Sequence, residues 1–113
     1  SRAAVFAIAP TVTFDDDANA AATIVEVSGR DRPGLLADIV EVMAKAHLDI
    51  ASAHIDCYGE RAVDAFYVTD HFRKSQLSGG QKQALKKALL AVMDQAPVAP
   101  KRNLARARAS TAR

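Results

Sequence analysis

Across residues 23–46 the hydrophobic period lengthens from two to about 3.6 residues, and the whole change is made over one polar joint, "GRDRPG", Gly29 to Gly34. Before the joint, "TIVEVS" (Thr23–Ser28) alternates and is β-branched, a strand signal. After it, Leu35, Leu36, Ile39, Val40, Met43 and Ala46 recur at spacings of three and four, while Asp38, Glu41 and Lys45 fall on the other side. That pattern predicts an amphipathic helix of about three turns. A glycine-bearing joint of this kind can cradle a phosphate, hold a catalytic acid, or receive a small charged metabolite, and these residues favour the third. The first turn of a helix leaves N–H groups unpaired at the positive end of the macrodipole, so the N–H groups near Gly34, Leu35 and Leu36 suit an α-carboxylate. Pro33 presets its own φ, Gly34 keeps side-chain atoms clear of a ligand, and Asp31 stands close enough to face an ammonium.

The remaining patterns constrain the fold further. "TVTF" (Thr11–Phe14) is a short strand joined to Thr23–Ser28 through the loop that "DDDANA" opens. "DIASAHIDCY" (Asp49–Tyr58) alternates, with Ala51, Ala53, Ile55 and Cys57 expected toward the helices and Ile50, Ser52, His54, Asp56 and Tyr58 away from them. Gly59 supplies a tight turn into a strand within Ala62–Asp70, with Phe66 and Val68 on one face and Val63, Ala65 and Tyr67 on the other. Ser78 suits an N-cap for a second helix with Leu85, Ala88, Leu89 and Val92 as its apolar stripe and Lys82, Lys86 and Lys87 on its wet side. Pro97 and Pro100 end it. Strand, strand, helix, strand, strand, helix lacks only a final strand to be a split β-α-β unit, so Thr11–Phe14 is expected to fill the vacant edge beside Thr23–Ser28. The prediction is an α+β, ferredoxin-like fold: a four-stranded antiparallel sheet with two helices on one face and Ala51–Cys57 at the other edge.

The chain has 113 residues, 50% apolar and 25% charged, enough for one small globular core. Its net charge of +2 hides a split. Lys101, Arg102, Arg106, Arg108 and Arg113 crowd the last thirteen residues without an acid, leaving residues 1–100 with ten basic and thirteen acidic groups. A mildly acidic domain argues against a nucleic-acid groove, and residues 97–113 read as a disordered basic tail. Residues 1–10 read as a linker from an upstream domain and residues 11–96 as the folded domain, a piece of a longer polypeptide. No apolar run approaches the ~20 residues of a membrane span, and the single Cys57 cannot form an internal disulfide, which points to a reducing cytoplasm.

Val25–Asp70, through "DRPGLL", "IASAHI" and "YGERAVDAFYV", resembles an ACT domain, and is most similar to the C-terminal ACT domain of the bifunctional enzymes that uridylylate and deuridylylate the PII nitrogen-signalling protein. The resemblance implies a regulatory module that senses glutamine or another amino acid, with no catalytic residue, metal or cofactor of its own. The parent's nucleotidyltransferase and metal-dependent phosphohydrolase domains, using magnesium or another divalent ion, have no room in this chain. It also implies a site shared with a tandem ACT domain or a second copy joined through the 50–58 edge strand. Carried over by position, the effector site comprises Asp31, Arg32, Pro33, Gly34, Leu35 and Leu36 from the joint and Asp49, Ile50 and Ala51 from the neighbour. The alternative is an ACT module that only pairs and binds no metabolite.

Catalytic readings are weaker. Asp15, Asp16 and Asp17 are adjacent in a loop and cannot all face one ion without help, so a solvated turn is expected. His47, His54 and His71 lack metal-ligand spacing, His54 being expected on the open side of the sheet. Cys57 is expected as a buried, inert thiol, and "SGGQK" lacks the upstream strand of a P-loop.

Overall fold

The computed structural model describes residues 8–94, so most of the expected 1–10 linker and the whole expected 97–113 tail lie outside the described residues. The elements are β1 (Thr11–Asp15), β2 (Thr23–Arg30), α1 (Leu35–Lys45), β3 (Leu48–Tyr58), β4 (Arg61–Asp70) and α2 (Gly79–Met93). The strands form one antiparallel sheet in the order β1-β2-β4-β3. This is the expected ferredoxin-like α+β arrangement. β1 takes the edge beside β2, with Val12 opposite Val27 and Phe14 opposite Val25, and β3 forms the other edge.

Alternation in β2 and β4 decides which face is covered. Val25, Val27, Ala62, Phe66 and Val68 are buried, while Glu26 is exposed and Val63, Ala65 and Tyr67 are half-buried on the opposite face. Leu35, Ile39 and Met43 of α1 and Leu85, Leu89 and Met93 of α2 close over the first set. Each large apolar side chain so enclosed contributes roughly 1.5–3 kcal/mol. α2 begins as expected at Ser78, whose hydroxyl accepts the Gln81 N–H at 3.1 Å while Gln81 Oε1 accepts the Ser78 N–H at 2.9 Å. Gly29 lets the end of α2 approach β2: a Cβ there would lie 2.8 Å from Met93 Cε.

Several side chains depart from the sequence pattern. On α1, Leu36, Val40 and Ala46 are exposed, because the apolar stripe is wider than the strip of sheet beneath it. On β3, the register slips between Ile50 (opposite Val68) and Ser52 (opposite Tyr67). The bulge at Ala51 turns Ile50 toward the helices together with Ala53 and Ile55, whereas simple alternation had put Ile50 on the far side. His54 does lie exposed on the open face, 6.1 Å from the Tyr67 ring. Cys57 is exposed and not buried, since β3 runs out beyond the shelter of α1. The 15–17 loop is more than a solvated turn: Asp16 accepts the Thr23 hydroxyl at 2.6 Å and pairs with Lys82, which therefore leaves the wet side. Gln76 Nε2 donates into the same loop, to Asp16 O at 2.8 Å and Asn19 O at 2.7 Å.

Candidate functional site

The β2–α1 joint is held from three directions. Asp31 N–H donates to Glu60 O at 2.8 Å, extending the β2–β4 pairing one step beyond Arg30 and Arg61. Arg32 turns back over α1 and α2: its Nη2 donates to Asp38 Oδ2 at 2.7 Å and to Val92 O at 2.9 Å, and its Nη1 to Pro33 O at 3.1 Å. Val92 O belongs to the last turn of α2, where a cation meets both unpaired carbonyls and the negative end of the helix. Arg32, read from sequence as an effector contact, thus has its guanidinium engaged in tying the joint to both helices. Leu35 is buried in the core, and Pro33, Gly34 and Leu36 are exposed.

Gly34 is the N-cap of α1 with φ 81° and ψ −2°, the left-handed region that glycine enters without strain. A Cβ there would meet only Arg32 Nη1, at 3.7 Å. Within the fold itself, conformation rather than packing space is therefore what requires glycine. The left-handed cap has a second effect. Leu35 N–H is taken by Arg32 O at 3.2 Å, but the N–H groups of Gly34, Leu36 and Ala37 find no acceptor among the described residues, and no side chain caps α1. In α2 the N-cap and N3 N–H groups are taken, that of Ser78 by Gln81 Oε1 and that of Gln81 by Ser78 Oγ. The first turn of α1 consequently offers donors and positive potential to an anion.

Beside these donors lies an acidic corner. Cys57 Sγ sits 3.5 Å from Asp31 Oδ2, and Asp31, first among several causes, pushes the thiol's pKa up and keeps it protonated. Asp64 sits nearby on the helix-bearing face of β4, 3% exposed, between Val27 of β2 and Ile55 of β3. The sequence reading passed over Asp64. Its signal is present, since a charged residue shares the parity of Ala62, Phe66 and Val68, all of them buried.

Asp49, Ile50 and Ala51 form a separate group at the opposite end of β3. Asp49 carboxylate oxygens lie 3.0 and 3.1 Å from His71 Nδ1 and 3.5 Å from Lys74 Nζ. The contact with His71, and after it the charges of His71 and Lys74, hold the Asp49 pKa below the usual carboxylate range. Ile50 is half-buried and Ala51 forms the bulge. Along one strand Asp49 and Cys57 are about 26 Å apart, so a single copy does not bring the two groups together. A two-fold antiparallel pairing of β3 edges centred on Ala53 would, because Asp49 would then face Cys57 of the second copy.

Comparison with known proteins places this geometry. Residues 23–78, from the start of β2 to the N-cap of α2, match the ACT domain. The chain belongs to the ACT domain family. Its ACT domain is accompanied by close similarity to bifunctional uridylyltransferase/uridylyl-removing enzymes: 54% identity over 117 residues with that of Caulobacter vibrioides, and 52% over 116 residues with that of Phenylobacterium zucineum, covering 100% and 99% of this chain. The enzyme of Zymomonas mobilis is 42% identical over 88% of the chain. The chain spans only 12% of the length of the first two relatives and 11% of the third. Among solved structures, an unknown protein from Galdieria sulphuraria shares the fold, with a TM-score of 0.53 and 18% identity over 73% of this chain and 49% of that one. No helix among the described residues is long and apolar enough to cross a membrane.

Proposed function

We propose that this ACT domain is the amino-acid-sensing module of a uridylyltransferase/uridylyl-removing enzyme, with glutamine as the effector, and that it reports nitrogen status to the uridylylation of PII. The observation that carries the reading is the uncapped first turn of α1, where the N–H groups of Gly34, Leu36 and Ala37 find no acceptor among the described residues, three residues after the carboxylate of Asp31 in sequence. An α-amino acid carries the two complementary charges on one carbon. Catalysis, and the magnesium or other divalent ion it needs, belong in this reading to other domains of a cytoplasmic parent. The ACT domain contributes only a change in free energy between ligand-free and ligand-bound arrangements.

The site is completed by a tandem ACT domain or a second copy lying along β3. Leu36, Val40 and Ile55 are 44%, 41% and 46% exposed, an apolar surface on the helix-bearing side next to an open strand edge. Pairing there would cover it and bring the Asp49 group against the joint. The same surface supports the second reading, an ACT module that pairs without binding a metabolite. A thermal-shift series with the twenty amino acids, run on a chain holding this domain and its ACT neighbour, separates the two. Glutamine binding raises the melting temperature by mass action, about 2.7 kcal/mol of added stability at a hundredfold excess over Kd. A flat response to all twenty leaves only the pairing module.

A further inference from the structure

Two acids of β4 lie on the face of the sheet that the helices cover, and only one of them is compensated. Asp70, 5% exposed, takes the Arg73 backbone N–H at 2.6 Å and Gln81 Nε2 at 2.7 Å, with Arg73 Nε at 3.4 Å. Asp64 is 3% exposed, and its Oδ1 is the one buried side-chain polar atom without a hydrogen-bond partner among the described residues. Burial, and more weakly the charges of Asp31 and Asp56, hold its pKa above the ordinary carboxylate value against the opposing pull of the Asp56 backbone N–H.

Among the described residues, no element packed around Asp64 turns a free cation toward it. Alternation puts Glu26 and Arg30 of β2, Arg61 of β4 and His54 and Asp56 of β3 on the open face of the sheet, where Arg30 meets Glu60 at 3.0 Å and Arg61 the Ser28 hydroxyl at 2.9 Å. On α1, Lys45 pairs with Glu41 at 3.3 Å, and Asp38 takes Arg32, which also holds Val92 O. α2 packs over β1, with Lys82 tied to Asp16 and Lys86 and Lys87 exposed. What remains is a thiol and two acids: Cys57 opposite Ala62, and the negative charges of Asp31 and Asp56. An ionised carboxylate in such a place is costly until water reaches it.

The shortest route for water runs under β3. Ile55 stands directly opposite Asp64, and β3 is an edge strand paired only with β4 among the described residues, exposed along the whole of 51–58. An edge of this kind opens locally at less cost than the central strands. We infer that Asp64 makes the β3 edge respond to pH: with its carboxyl protonated β3 lies closed against β4, and ionisation is relieved by β3 lifting from β4 at Ile55 to admit water. This edge is also the one along which pairing is proposed above, and its response to pH does not depend on whether an amino acid binds. Neutral Asp64 contributes its stability in full below the unfolded carboxyl value, about 3.9, and loses it as pH rises through the higher folded value. The sense is opposite to that of Asp16 and Asp70, whose values are lowered.

The test compares the full polypeptide with its Asp64→Asn variant, whose side chain stays neutral at every pH. Urea midpoints taken from about pH 4 to about pH 8 should show the variant gaining on the parent as pH rises, the contributions of Asp16 and Asp70 cancelling because both proteins carry them. A constant separation of the two midpoints overturns the inference. Hydrogen exchange locates the effect: amide protection in Ala53–Cys57, corrected for the intrinsic exchange rate, should fall with pH in the parent and hold in the variant. A fall that is alike in both proteins, or seen in neither, overturns the opening of β3. A third measurement does not depend on the variant folding: the Asp64 carboxyl carbon resonance, titrated in the parent, should have its midpoint above the ordinary carboxyl value of ~3.9, with the Ile55 amide moving at the same midpoint. A carboxyl midpoint at or below that value, or an Ile55 amide that ignores it, overturns the inference.

Discussion

At the scale of single residues, Arg32 shows how a side chain that looks like a ligand contact becomes part of the frame. Its donors to Asp38 and Val92 O bind the joint to both helices, and its side chain is 21% exposed against 39% for Asp38. Solvent at Asp38 weakens the ion pair, so Arg32→Ala should cost about 1–2 kcal/mol, most of it from the unpaired helix-end carbonyl. Arg32→Lys should recover only part, because an ammonium cannot reproduce the fork. Urea denaturation of the three proteins checks both statements. Acid should act through Asp16 and Asp70. The Asp16 pKa is lowered first by Lys82 and then by Thr23, and that of Asp70 first by the Arg73 backbone N–H and then by Gln81. A carboxylate with a depressed pKa in the fold stabilises fully above its unfolded value, about 3.9, and progressively loses that contribution as pH falls through its folded value. Melting temperatures measured downward from pH 6 should therefore fall below about pH 4, and Asp70→Asn should flatten that fall.

At the scale of elements, periodicity identified every strand and both helices, and Ser78 marked the start of α2, where the structure adds Gln81 as the other half of a capping box. The edge position of β1 was legible too, because a split β-α-β unit with one strand missing leaves a single edge for it. The face of Ile50 was not legible. One extra residue in β3, the small Ala51, leaves composition unchanged but inverts the alternation before it. The cross-links from Asp16 to Lys82 and from Arg32 to Val92 join residues 66 and 60 apart in sequence, and no local pattern announces them. Of the candidate site, the joint was legible and its left-handed cap was not, since Pro-Gly suits several turn types. That cap gives a specific expectation. Gly34→Ala should destabilise by about 1–2 kcal/mol through its positive φ, and Gly34→Asn by less, because asparagine tolerates that region better. Equal stability of glycine and alanine variants in thermal melts would contradict the left-handed cap.

At the scale of the whole molecule, the sheet ends in the five-residue β1 at one edge and the eleven-residue β3 at the other, and the exposed apolar side chains Leu36, Val40 and Ile55 lie on the β3 side, which gives association a direction. Val40→Glu and Ile55→Glu each put a charge on the exposed surface beside β3 without touching the core. Each should abolish self-association or tandem pairing in sedimentation runs while shifting stability by no more than ~0.5 kcal/mol. Association that survives both changes would place the contact elsewhere. The central claim, that an amino acid binds at the uncapped start of α1, is tested most directly by backbone amide NMR of a chain containing both halves of the site, titrated with glutamine. The account predicts saturable shifts of the Gly34, Leu36 and Ala37 amides, with the Leu35 amide moving less because Arg32 O already holds it. Glutamine that binds while these amides stay still, or that leaves every amide unmoved at millimolar concentration, would contradict it.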